Sequence, residues 1–567
     1  MRPVPKGQSW KAIILFVAVA ASYEYLAWHD TRLGDTQAYI ASAAARSTDE
    51  GLFRHDAVFG TRLWQLHSPL AQGVVRLCLA GSSADDLTLP FRLLSGVLTL
   101  IYLCGMYSLL HRQCRSWSVA AFTAILSTAV IYTLGSSYWG VGSLASATPW
   151  TAVICLTPLV MLAFLKHMQR PSRLVLVFAV IGIAGNVHLA AAMNLALVLI
   201  IVYLAAMRFA PKAWLVGALC GLASVVAAMP YIIHFLVVRA ASDSLDVQPG
   251  QQAAAAAFRM SDQAIMYPEL LAGLWNWAVL VAIVLVLPAV IVLSRIERYR
   301  VRDMRVWVAF IIAALVVAFG FHGVSQLMGH MAGAAPPVID FVQASSLMML
   351  PLYVLFAQAL THIFRLVRTH RGVVLAACAV IMAMWMLPSD NLRPARYAVL
   401  DTATMFMPEA DKPKSVQRHH EVYHKSLELK SIAHFARQGT DPDSVFLTDQ
   451  AEFRMHSRRA ILAAPQDARY VYDLAPGRLD EWLSVIETQQ QLLHPPAPPG
   501  GDGRKIVQFV RSRIEADPQL RAVPEWFIIL QADEAPPEPW PHLEEYRSDL
   551  WGQYYRMFRL TLERTTK

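Results

Sequence analysis

Between Arg32 and Gly60 the chain reads RLGDTQAYIASAAARSTDEGLFRHDAVFG, with carboxylates at Asp35, at Asp49/Glu50 and at Asp56, soon after a long apolar run. Carboxylates this close to a lipid phase have a chemical use as well as a structural one. An ionised Asp35 can accept a proton from an attacking hydroxyl or amine. Asp56 beside His55 offers one hard oxygen and one imidazole, candidate ligands for a divalent cation, Mg2+ or Mn2+, that would neutralise a leaving phosphate. The structural use of Asp35 is to cap the Ala-rich helix favoured by TQAYIASAAARS, worth about 1 kcal/mol. Helical spacing then sets Tyr39 one turn along on the same face, within reach of whatever Asp35 meets.

The elements that must position these residues are mostly apolar. With 56% hydrophobic and only 16% charged residues, the composition excludes an ordinary soluble protein and defines a polytopic membrane protein. Apolar stretches long enough for the hydrocarbon layer fall near residues 11–28, 92–110, 118–134, 147–165, 173–187, 189–207, 213–238, 270–294, 306–321, 341–364 and 372–388, about 11 spans. Residues 70–80 are apolar but contain Arg76, which suits a helix lying on the interface. The fold expected is mostly α: a membrane helical bundle over 1–388 with a long first exported loop, 29–91, and an exported α/β domain over 389–567. In that tail β-like runs occur at 445–449, 458–464, 525–530 and 554–560, with helical patterns near 421–438, 478–493 and 504–515. The stretch HPPAPPGGDG, 494–503, reads as a loop within the tail.

Lys and Arg collect in alternate loops: HRQCR (111–115), KHMQRPSR (166–173), RFAPK (208–212), SRIERYRVRDMR (294–305) and RLVRTHR (365–371). Loops 135–146 and 321–340 contain neither residue. By the positive-inside rule the amino terminus is cytoplasmic and the tail lies outside the membrane. The formal net charge of +8 is then an orientation signal, and no nucleic-acid partner is needed to explain it. Ala18-Val19-Ala20 resembles a signal-peptidase site, but the ASYEYLAW that follows still reads as membrane or interface, so the first span is expected to be an uncleaved anchor. None of the six cysteines falls in the tail, which therefore has no disulfide framework.

Further polar groups fall at the expected outer face. His188, in GNVHLAAAMNL, has a structural reading, as a ring satisfied by backbone, and a functional one, as a phosphate or sugar contact. His330 lies in GVSQLMGHMAGAAPP, which reads either as an exposed loop or as a lid over a lipid substrate. Arg62 and Arg239 are the leading partners for a lipid phosphate, because guanidinium forks match phosphate oxygens. The basic cluster RMHSRRA, 454–460, reads equally well as solvated surface.

A cytoplasmic amino terminus, an exported first loop with LGDTQAY and then RHDAVF, about 11 spans and an exported carboxy-terminal domain together resemble the C-type superfamily of integral-membrane glycosyltransferases. Where many members carry two adjacent acidic residues, this chain has Asp35 followed by Thr36. The tail, with FRMHSRRAIL and YYRMFRL, is similar to that of poorly characterised bacterial membrane proteins related to this group. The resemblance implies a bacterial inner-membrane enzyme with its tail in the periplasm. Its donor would be a polyprenyl-phosphate-linked sugar, its acceptor an envelope glycan, lipid or protein, and its base Asp35. Two readings from other classes stay open: a transporter or flippase of a lipid-linked intermediate, and a non-catalytic scaffold for envelope assembly.

Overall fold

The computed structural model describes residues 9–30, 33–61, 64–65, 68–80, 86–133, 137–240, 252–253, 256–257, 303–331, 340–366, 371–494, 503–535 and 542–562. The expected span 270–294 and Arg62 lie outside the described residues, as does most of the 494–503 loop. The chain divides into two compact units. One comprises residues 1–30, 91–234 and 263–399; the other comprises 31–90, 235–262 and 400–567.

The first unit is helical. Among the described residues seven helices are long and apolar enough to cross a membrane: Trp10–His29 (within helix α1, Ser9–His29), Leu89–Cys114, Pro149–His167, Leu189–Ala206, Pro211–Val238, Met304–Gly329 and Phe341–Phe364. Leu375–Met386 and Asp390–Ala403 form a pair bent by 85° that would supply an eighth. Two of the expected spans are realised as short helices, Trp117–Leu126 and Pro171–Gly185. The first of these stops early for a visible reason. Beyond Leu126 the chain enters a two-stranded hairpin, β1 (Ile131–Tyr132) and β2 (Tyr138–Trp139), and the backbone groups freed from the helix are met by side chains. Tyr102 donates its hydroxyl to the Ser127 carbonyl (3.0 Å), Asn391 donates to the Thr128 carbonyl (2.8 Å), and Ser389 accepts from the Val130 N–H (2.8 Å). Away from water such groups must find protein partners, and these three let the chain leave the helix inside the unit. Trp139, fully buried, donates its indole N–H to the Tyr102 hydroxyl and closes the network.

A second polar device joins two helices. Pro230 lies inside the helix Pro211–Ala240 and removes a backbone donor there. Asn186 inserts beside it: its amide donates to the Ala227 carbonyl (2.9 Å) and its carbonyl oxygen accepts from the Tyr231 N–H (3.0 Å). The same unit buries an ion pair, Arg393 to Asp30 at 2.5 Å, where the last span turns.

The second unit is built on a mixed five-stranded sheet. In spatial order the strands are β4 (Ala460–Ile461), β3 (Val445–Leu447), β5 (Trp526–Gln531), β7 (Tyr555–Leu560) and β6 (Leu543–Tyr546). The pairs β3–β4 and β3–β5 are parallel, whereas β5–β7 and β6–β7 are antiparallel. Strand β5, WFIILQ, is buried along all but its last residue, as an uninterrupted apolar run should be when helices cover both faces. The expected helices appear as Lys414–Gly439, Leu479–Leu493 and Gly503–Ala516. Glu428 is buried on the first of these. Its carboxylate accepts the backbone N–H groups of Gly552, Tyr554 and Tyr555 and so holds the entry to β7.

The first loop, expected as an appendage of the membrane domain, clusters instead with the tail: residues 31–90 belong to the same unit as the sheet. Helix α2 (Asp35–Thr48) packs on the helix Ala451–Ser457 and on Pro69–Ala80. That last helix buries Ala71, Gln72 and Val75 and leaves Leu70, Val74 and Leu77 exposed, an amphipathic pattern suited to an interface.

Candidate functional site

The loop is fixed to the tail by one buried cluster of charges. After α2 the chain reverses through Asp49–Gly60, with Phe53 in the left-handed region at φ 57°. The turn ends in a close approach. A Cβ on Gly60 would lie 2.3 Å from the Arg54 carbonyl oxygen and 2.5 Å from that of Asp56, so only glycine fits. This turn aims Asp56 inward. Its carboxylate accepts five hydrogen bonds, from the Val58 and Phe59 N–H groups (2.9 and 3.0 Å), from Arg454 Nε and Nη2 (2.6 and 3.1 Å), and from the Ile461 N–H (3.1 Å). Arg454 spans to a second carboxylate, Asp467, at 3.3 and 3.1 Å, and Asp467 also accepts the Ala464 N–H. All three side chains are closed to solvent, Asp56 at 3%, Arg454 at 1% and Asp467 at 0% exposure.

Two carboxylates against one guanidinium leave a formal charge of −1 in the interior, and the four backbone N–H groups directed at the pair offset it. The guanidinium lies over the rings of Phe59 (4.8 Å) and Tyr39 (5.6 Å), so aromatic faces complete its surroundings. Tyr39 is itself enclosed, 2% exposed and stacked on Tyr470 at 4.0 Å.

This geometry corrects two sequence expectations. Asp56 and His55 do not fit a divalent cation, because every strong acceptor direction on Asp56 is already occupied. Among the described residues no three His, Cys, Asp or Glu side chains converge to hold a metal. Arg454 and Arg459, in the basic cluster for which solvated surface was one of two readings, are buried. Arg459 donates to the carbonyls of Arg437 (2.7 Å) and Thr440 (2.8 Å). The signal in the sequence was Arg454 itself, a charge between Phe453 and Met455 in a seven-residue helix, but one of its two carboxylate partners, Asp56, comes from the distant loop.

Asp35 occupies the first position of α2, and the cap is Gly34. The Gly34 N–H donates to the Gln37 side chain at 2.8 Å, so the helix start is secured by Gln37. The side chain of Asp35 lies outside the described residues. In the other unit His188 is the cap of the helix Leu189–Ala206. Its Nδ1 accepts the Ala191 N–H at 3.1 Å, which in the neutral ring places the proton on Nε2. Its ring meets Trp150 edge-on at 5.7 Å. Arg239 and His330 are carried on the helices Pro211–Ala240 and His322–Met331, and their side chains lie outside the described residues. The expected lid is thus helical as far as Met331. Tyr39, His55 and Asp56 are brought together in the loop–tail unit; His188 belongs to the helical one.

The second unit also contains a cavity of about 330 Å³ between the 55–61 turn and the tail helices. Its wall includes His55, Arg478, Glu481, Trp482, Arg513 and Asp517.

No family model matches this chain, and no curated protein matches it in sequence. Among solved structures it is similar to the Archaeoglobus fulgidus oligosaccharyltransferase. The apo form matches with a TM-score of 0.46 and 11% identity, covering 93% of this chain and 70% of that one. The form tethered through a disulfide to an acceptor peptide containing the NVT sequon matches with a TM-score of 0.45 and 11% identity, over 93% and 69% of the two chains.

Proposed function

We propose that this membrane protein is a C-type glycosyltransferase that moves a sugar from a polyprenyl-phosphate donor to an envelope acceptor on the exported face, with Asp35 as the base. The supporting observation is how the acids of the first loop are used. Asp56 is consumed by the Arg454 cluster, Asp49 accepts the Gly51 N–H at 2.8 Å, and the cap of α2 is supplied through Gln37. Asp35 stands at the first position of α2, beside the cap that Gly34 and Gln37 make. It follows the end of the first membrane helix, His29, by six residues, at most about 22 Å of extended chain.

In the reaction proposed, the Asp35 carboxylate takes the proton from an acceptor hydroxyl or amine. The freed electron pair forms the new bond to the anomeric carbon, and the bond from that carbon to the phosphate oxygen breaks. Polyprenyl phosphate leaves with the electron pair, and a single displacement inverts the anomeric centre. Arg62 and Arg239 are proposed to meet the donor phosphate, and His188 and His330 to contact donor phosphate or sugar hydroxyls. Tyr39 acts by fixing α2 through its stacking. No step is routed through a metal ion. The orientation that this requires, amino terminus in the cytoplasm and tail in the periplasm, follows the Lys/Arg distribution, which suits an inner bacterial membrane.

Proteoliposomes holding the full chain and a polyprenyl-phosphate-linked sugar should release polyprenyl phosphate when an envelope extract is added. Movement of intact donor across the bilayer with no release would overturn this reading in favour of a transporter. A reporter active only outside the cytoplasm, fused after Pro408, should be active; activity of a cytoplasmic reporter there instead would overturn the orientation.

A further inference from the structure

The apolar helix Arg371–Met386, within the last expected span, is followed by the segment Asp390–Ala403, whose axis turns away by 85°. Side chains hold the bend. Arg396 donates to the Leu387 carbonyl (2.8 Å), Tyr132 donates its hydroxyl to Asp390 (3.0 Å), and Arg393 pairs with Asp30 (2.5 Å). The charges of Asp390, Arg393, Arg396 and Asp401 keep the segment out of hydrocarbon.

Its direction also keeps it from leaving the membrane surface. The 11 residues of the helix Arg393–Ala403 are about 16 Å long, and at 85° its far end is displaced by only about 1.5 Å along the axis of the preceding helix. A tilt of about 20° in that preceding helix, ordinary for a span, raises the displacement to about 7 Å at most. The polar layer on one side of a bilayer is roughly 5–8 Å deep. A helix that starts at the end of a span therefore also ends at headgroup depth.

The exposed side of this helix is free of charge. Ala398, Val399, Thr402 and Ala403 are exposed and recur at helical spacing. Asp401, the one charged residue between Tyr397 and Pro408, is directed to His420 at 2.7 Å. The next turn continues the helix: Thr404 donates its hydroxyl to the Leu400 carbonyl (2.8 Å), and the Met407 N–H donates to the Thr404 carbonyl (2.9 Å). That turn presents Met405, Phe406 and Met407 outward, and Phe406, at 91%, is the most exposed large apolar side chain among the described residues. Single exposed apolar residues need no explanation, but three in a row beside an uncharged helix face form a patch that calls for a partner. Asp401–Arg418 contains three acidic and three basic side chains, so electrostatic attraction to anionic lipid is not what holds it.

We infer that the exposed face of Arg393–Ala403 and the tip Met405–Met407 rest in the headgroup region of the bilayer, with Phe406 inserted toward the acyl chains. The chain then leaves the membrane surface after Met407, although its last apolar helix ends at Met386. This contact is independent of the transfer step proposed for Asp35, and its test needs no turnover.

Phe406 is replaced by p-benzoylphenylalanine, an aromatic side chain that inserts into nearby C–H bonds on irradiation. The full chain is reconstituted at low density in phosphatidylcholine vesicles and, separately, in vesicles that also contain phosphatidylglycerol. Intact mass after irradiation should rise by one phospholipid in both. The same replacement at Leu550, 71% exposed in the tail, should give no such shift. If the melting point of the Phe406 variant is lowered, the label is moved to Met405, which must give the same result. No lipid adduct, a link to a second copy or to another segment of the chain, an adduct only with phosphatidylglycerol, or equal adducts at 406 and 550 would overturn the inference.

Discussion

Asp35 and Asp56 are both acids of the first loop, 21 residues apart, one opening a helix and the other closing a turn. Asp56 accepts five hydrogen bonds inside the protein, three from backbone and two from Arg454. Asp35 begins a helix whose cap is made through Gln37. The contrast teaches that nearness to a membrane does not make a carboxylate chemical. Asp56, with five partners inside the protein, is a fastener.

The comparison breaks most visibly at Asp56. Asp56→Ala strands Arg454 against a single carboxylate and leaves three backbone N–H groups unpaired; losing one partner of a buried pair costs about 3–5 kcal/mol. Thermal melting and limited proteolysis should show the loop–tail unit loosened or lost, and Arg454→Met should do the same. A stable Asp56→Ala protein would mean that the cluster is not the fastener described.

A smaller effect is expected at the turn that aims Asp56. Gly60→Ala puts a methyl group against the Arg54 and Asp56 carbonyl oxygens, an overpacking cost of roughly 1–3 kcal/mol. The measurement is the urea midpoint of the detergent-purified chain, and an unchanged midpoint would contradict the close approach.

Away from this cluster the tail has a titratable clamp for comparison. His494 lies between Asp449 (3.1 Å) and Glu534 (2.9 Å), and these partners, chiefly Asp449, outweigh desolvation and raise its pKa to about 9. The folded pKa exceeds the usual value, about 6.5, so the stabilisation is fully present below pH 6.5 and is lost as pH rises through about 9. Melting temperature should fall across that window, and His494→Gln should flatten the fall. An unflattened fall would assign it to other groups.

Much of this architecture could be read in advance, because span length and burial of apolar surface are local properties. β3, β4 and β7 fall within their expected runs, β5 overruns its own by one residue, and three tail helices match their patterns to within a few residues at most positions. The strand β6 was not singled out, since LEEY carries Glu544 and Glu545 on an edge and lacks an apolar run. The span expected at 118–134 failed because Ser389, Asn391 and Tyr102, remote in sequence, satisfy backbone groups that would otherwise have to stay helical. The joining of the first loop to the tail was illegible for the same reason. Asp56 and Arg454 are separated by 398 residues, and an arginine in a basic cluster looks solvated until the rings that cover it are known. The helix at Asp35 was foreseen, but its cap falls one residue earlier, at Gly34.

Asp35→Asn has the smallest expected effect on stability and the largest on chemistry. At the first position of a helix the change forfeits the attraction of the carboxylate to the helix dipole, about 0.3–1 kcal/mol. General-base catalysis contributes about 10²–10⁴-fold. The decisive measurement is sugar transfer and melting temperature on the same preparation of Asp35→Asn. The account predicts transfer reduced by about 10²-fold or more with a melting curve nearly that of the parent; full transfer by a well-folded Asp35→Asn protein would contradict it.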